Sequence, residues 1–138
     1  MITNEREYRI TKSRIVDPEQ AIARERARQD VSPELREIYA AALASNLQQM
    51  AAEVREYEDL KAGRAKIKST SLADLPKVLI QARIAQGWTQ KQLADTLQVT
   101  EQTIQRYEAN EYQSVALARL TRIAETLSVR VVGMYATA

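Results

Sequence analysis

The stretch Trp88-Thr-Gln-Lys-Gln-Leu-Ala-Asp-Thr-Leu-Gln-Val-Thr-Glu-Gln-Thr-Ile-Gln-Arg-Tyr-Glu108 decides how this chain is read. Thr89 is an N-cap candidate, and Gln90 to Leu97 is made of good helix formers. Leu93, Ala94 and Leu97 fall at i, i+1 and i+4, on one helix face. Gln98-Val99 breaks the pattern. Thr100 is a second N-cap candidate, with Glu101 at the positive end of the next helix dipole. Ile104 and Tyr107 then recur at i, i+3, which leaves Glu101, Gln102, Thr103, Gln105 and Arg106 facing elsewhere. Two short helices joined by so few residues must cross steeply. A close crossing needs a small residue, and Ala94 is placed to let Ile104 approach.

This pattern resembles the helix-turn-helix of the Xre/Cro (lambda-repressor-like) DNA-binding family. In that family a Gln opens the second helix, an Ala follows four residues later and a branched apolar residue ten after that. Here these are Gln90, Ala94 and Ile104. The family also carries an Arg seven residues before the Gln and a Glu eighteen after it, which often pair. The resemblance therefore implies a structural salt bridge between Arg83 and Glu108. The flanks fit: Leu75 to Gln86 reads as the first helix, closed by Gly87. Ser114 to Leu127 reads as another, with Leu117, Leu120, Ile123, Ala124 and Leu127 on one side. The resemblance covers about residues 72–130. One departure is the turn, where the family usually has Gly and this chain has Gln98; a left-handed Gln98 costs roughly 1–2 kcal/mol.

The resemblance also implies roles. The helix beginning at Glu101 would enter the major groove of double-stranded DNA. Glu101, Gln102 and Arg106 would read bases, with Thr103 and Gln105 beside them. The chemistry agrees: Gln suits adenine, Arg suits guanine, and Glu accepts from the cytosine amine. Glu101 has the alternative role of a helix-dipole partner. Gln90 would touch a phosphate and brace Gln102, with Thr89, Lys91 and Lys77 as further backbone contacts. Trp88 and Tyr107 look like nucleic-acid aromatics, but in this motif they read as core.

Composition narrows the alternatives. The 138 residues contain no Cys and no His, which excludes disulfides, thiolate nucleophiles, His bases and Cys/His metal sites. No metal or other cofactor is expected. Three Gly and no Phe favour a mainly α chain. No apolar run approaches a membrane span and the start lacks a signal-peptide core, so the expected compartment is cytoplasmic, with no membrane partner. Charge is uneven. Residues 1–60 hold nine Lys/Arg and twelve Asp/Glu, a net of −3, whereas residues 61–138 hold eleven and six, a net of +5. The basic surplus lies in the half with the helix pair, as attraction to phosphates requires.

Three domains of organisation follow: an N-terminal helical region over 1–62, a linker over 63–72 and the DNA-binding bundle over 73–138. Residues 1–16 show only weak alternation, with Thr11 as a cap candidate. Asp17-Pro18-Glu19 and Ser32-Pro33-Glu34 are both helix starts, for helices Pro18–Gln29 and Pro33–Ala62, the latter closed by Gly63. On the long helix Leu43, Leu47, Met50, Val54 and Tyr57 recur at spacings of 4, 3, 4, 3, extended by Leu35 and Tyr39. This stripe serves either a hairpin with residues 18–29 or a dimer or partner interface. The basic linker either lies along phosphates or is a solvated hinge. Val129 to Tyr135 reads as a short strand, paired across a dimer or packed on its own domain.

The leading expectation is a dimeric, sequence-specific transcription regulator that represses its own operon. An antitoxin that neutralises a toxin protein partner through the acidic N-terminal half is the alternative. A protein-docking scaffold without DNA binding is a third reading, and no motif marks an enzyme.

Overall fold

The computed structural model describes residues 1–69 and 71–133. Among them the regular structure is α-helical, with one 3-10 turn. The chain divides into two compact units, residues 1–58 and 59–138, so the division falls in the last turn of the long helix and places the linker with the second unit.

The first unit holds three helices: α1 (Glu5–Arg14), α2 (Pro18–Arg26) and α3 (Pro33–Lys61), the last running into the second unit. The weak alternation near the start conceals α1. Its cap is Asn4, whose side chain accepts from the Glu7 N–H at 2.9 Å, and Thr11 lies inside the helix. Asp17 caps α2 by accepting from the Gln20 N–H, with Pro18 in the first turn. That helix stops at Arg26, three residues short of Gln29. α3 ends where Gly63 turns left-handed at φ +67°, and the Arg64 N–H reaches back to the Asp59 carbonyl.

The heptad stripe of α3 is used inside the unit. Leu47, Val54 and Tyr57 are buried, and Leu43 and Met50 are half-buried. Tyr8 of α1 stacks on Tyr57 with ring centroids 5.2 Å apart. The Tyr8 hydroxyl and the Lys12 amine both donate to Glu58, at 2.6 and 2.8 Å. Near the other end of α3, Arg26 pairs with Glu37 and the Arg28 guanidinium lies over Tyr39. Tyr57 of the stripe is thus partnered by α1, and Arg28, just after α2, lies over its extension Tyr39. Leu35 and Tyr39, read as extensions of the stripe, are exposed.

The second unit is the helical bundle. A 3-10 turn over Leu72–Asp74 is capped by Ser71 and leads into α4 (Leu75–Ala85). Gly87 at φ +73° closes α4, with Trp88 N–H bonded to Arg83 O at 3.0 Å. Next come α5 (Gln90–Leu97), α6 (Glu101–Ala109) and α7 (Leu117–Thr126). Leu79, Ile80, Leu93, Leu97, Ile104 and Ile123 form the fully buried centre. The Gln86 side chain ties the end of α4 to that of α7 by donating to the Leu127 carbonyl at 2.6 Å.

Two expectations for this unit are corrected. The helix read from Ser114 begins at Leu117, and Leu117 is 75% exposed, not part of the buried side. The cause is Tyr112. The chain turns through left-handed Glu111, Tyr112 and Ser114 to bury the Tyr112 ring beside Tyr107, so a helix can start only afterwards. The C-terminal strand is also absent from the described residues: Val129 to Gly133 have no ladder partner, and a strand needs one. Met134 and Tyr135 of that reading lie outside the described residues.

Two stability measurements test this packing. The Tyr112 hydroxyl is buried without a hydrogen-bond partner among the described residues. Tyr112→Phe therefore leaves urea stability unchanged or raises it by up to about 1 kcal/mol, and a loss of that size would reveal a bonded hydroxyl. Gln98 sits at φ 57°, ψ 44° with its side chain exposed. Gln98→Gly relieves left-handed strain of about 1–2 kcal/mol against a smaller gain in unfolded-chain entropy. A net stabilisation is expected in thermal melts, and a fall in Tm would contradict the turn geometry.

Candidate nucleic-acid interface

The interface is assembled by caps and one ion-pair network. Thr89 and Gln92 form a reciprocal capping box: the Gln92 N–H donates to Thr89 Oγ1 at 3.1 Å, and the Thr89 N–H donates to Gln92 Oε1 at 2.8 Å. Gln92 was not singled out from the sequence, although the spacing Thr-x-x-Gln carries that signal. At the other end of α5, left-handed Gln98 turns the chain, and the Val99 N–H reaches the Ala94 carbonyl. Thr100 then caps α6, accepting from the Thr103 N–H at 3.2 Å. Ala94 and Ile104 are both completely buried where α5 and α6 pack together.

Behind these helices Arg83 and Glu108 meet in a bidentate pair, Nε to Oε1 at 2.6 Å and Nη2 to Oε2 at 2.7 Å. Both side chains are sealed, at 3% and 1% exposure. The third guanidinium nitrogen donates to the Trp88 carbonyl at 2.8 Å. One pair therefore links α4, the turn after it and α6.

Gln90 joins this network. Its amide donates to Glu108 Oε2 at 2.8 Å, and the residue is buried. That corrects the sequence expectation of a side chain lying outward on a phosphate and bracing Gln102. Glu108 would lose a charge-assisted donor if Gln90 turned out to solvent.

The other site residues lie at the surface. Gln102 and Arg106 are exposed, are spaced i, i+4 on one face of α6, and have no side-chain partner among the described residues. Glu101 is exposed and accepts a hydrogen bond from Gln105 at 3.4 Å. Thr103 is half-buried, its hydroxyl 2.8 Å from that of Thr100. Lys91 pairs with Asp95 at 3.1 Å across one turn, an exposed contact that a phosphate can displace at little cost. Thr89 and Lys77 are exposed, with the Thr89 oxygen already accepting within its capping box. Trp88 and Tyr107 are half-buried.

A capped helix pair with a three-residue turn, backed by a third helix, defines the helix-turn-helix class. Residues 79–133 match the family model described as Helix-turn-helix, which covers 55 of the 138 residues and carries the association with DNA-binding transcription regulators. No curated protein and no solved structure matches the chain. None of the described helices is long and apolar enough to cross a membrane.

The buried pair gives a direct test. Arg83→Met leaves Glu108 charged and sealed, and is expected to lower unfolding free energy by about 3–5 kcal/mol in urea. A loss below about 1 kcal/mol would show that solvent reaches the pair.

Proposed function

We propose that this protein is a sequence-specific DNA-binding transcription regulator that reads the major groove with α6. The observation that carries the reading is the pair Gln102 and Arg106, exposed and unpartnered on one face of the second helix of a helix-turn-helix. A folded protein gains nothing internally from these two side chains. They are the types that make bidentate contacts to adenine and guanine. Glu101, Thr103 and Gln105 flank them as secondary base contacts. Thr89, Lys91 and Lys77 are the proposed phosphate contacts, and Gln90 contributes by holding Glu108 in place.

One such helix covers few base pairs, so the working species is proposed to be a homodimer on two half-sites. Repression of its own operon is the simplest use of such a module. The basic surplus of residues 61–138 supports electrostatic capture of DNA.

Fluorescence anisotropy with a duplex from upstream of the gene, a shuffled control and a salt series tests the proposal. Gln102→Ala is expected to cost about 1–3 kcal/mol, concentrated at one base position. Lys91→Ala should weaken all sequences alike and flatten the salt slope. Gln90→Ala should lower thermal stability as well as binding, because it strips a donor from Glu108. Equal binding of wild type to both duplexes, or a uniform loss from Gln102→Ala, would sink the base-reading assignment.

A further inference from the structure

α3 buries one side in its own unit and leaves the opposite side exposed. Ala40, Leu47 and Val54 are buried. Two residues on from Leu47 the helix has turned by about 200°, to Gln49. Along that opposite side Leu35, Ile38, Ala42, Ser45, Gln49 and Ala52 recur at spacings of 3, 4, 3, 4, 3, and all six are exposed. None is charged; the nine charged residues of α3 all fall within 34–37 and 53–61, so Ile38 to Ala52 is uncharged on every side, the exposed side included. Leu35 is 40% and Ile38 58% exposed. A solvated face of a 29-residue helix has no need to exclude Lys and Glu over five turns, whereas a heptad seam does.

We infer that a second copy of this chain docks on this face, its α3 running antiparallel about a two-fold axis between Ala42 and Ser45. In that register Leu35 meets Ala52 of the second copy, Ile38 meets Gln49 and Ala42 meets Ser45. Leu35 fills against Ala52 and Ala42 meets Ser45, so the axes come close there, while in the Ile38 layer the amide head of Gln49 stays on Glu53 at the rim. The flanks agree. Glu34 precedes Leu35 and Arg55 follows Ala52, and the antiparallel register brings Glu34 beside Arg55 of the second copy, twice by symmetry. Arg55 is exposed and has no partner among the described residues. A parallel pair would stack Leu35 on Leu35 and Ala42 on Ala42, with alternating bulges and gaps, and would strand Arg55. The stripe read from the sequence as serving either a hairpin or an interface is packed inside its own unit, and the docking face lies behind it.

This inference deepens the homodimer part of the proposed function. Its test uses the full chain without DNA, so its failure leaves the DNA reading standing, and the reverse holds too. Sedimentation velocity over a concentration series is expected to show a monomer–dimer equilibrium. Ile38→Glu should raise the dissociation constant at least about tenfold by burying an unpaired charge. Arg55→Glu and Glu34→Arg should each weaken the dimer, and the double exchange should restore it. Circular dichroism checks that each variant stays helical; if Ile38→Glu does not, the Glu34 and Arg55 exchange decides. Because the chain has no Cys, an Ala42→Cys protein mixed with a Ser45→Cys protein gives a unique readout. The mixture should oxidise to the cross-linked pair far more readily than Leu35→Cys alone. A monomer up to about 100 µM, where even a weak dimer would show, overturns the inference. So do a dimer indifferent to Ile38→Glu and a double exchange that fails to restore association.

Discussion

The Arg83–Glu108 pair is the constraint on which the helix-turn-helix unit depends. Two charges have been taken out of water, and each is compensated within about 3 Å by partners from elsewhere in the fold. Arg83 spends its three nitrogens on Glu108 and the Trp88 carbonyl. Glu108 answers with both oxygens and takes a further donor from Gln90. Because a buried pair tolerates little displacement, α4, the following turn, the start of α5 and the end of α6 are held in one arrangement. The outer face of α6 inherits that rigidity without supplying any of it.

This division of labour explains why Gln102 and Arg106 can stand free. The stability of the bundle resides in the apolar centre around Leu79, Leu93 and Ile104, in the caps, and in the ionic network. Nothing on the exposed face is needed to fold. Side chains there are open to selection for what they touch outside the molecule.

Much of this half was legible in the sequence because its signals are local. Thr89 and Thr100 announce helix starts within four residues of the bonds they make, and Gly87 marks a stop. The left-handed Gln98 stands in the turn where the family that the sequence resembles usually carries Gly. The features that stayed hidden are tertiary. Gln90 looks like any polar residue at a helix start, and only the position of Glu108 across the bundle buries it. Tyr112 delays α7 because its ring needs a place in the core, which no window around Ser114 reveals. In the first unit, α1 was missed because its cap lies at Asn4, close to the chain end, and its apolar residues are few. The spacing of the α3 stripe was legible, but a heptad does not say whether its partner is in the same chain.

The placement of Trp88 has a practical consequence. It is the sole indole of the chain, half-buried in the second unit, with its own carbonyl bound to Arg83. The first unit has only tyrosines, among them the stacked Tyr8 and Tyr57. Emission excited at the red edge of the absorption band therefore reports the second unit alone, while far-ultraviolet dichroism sums over both. Any gap between the two melting curves would measure how independently the halves come apart, with no label attached to either.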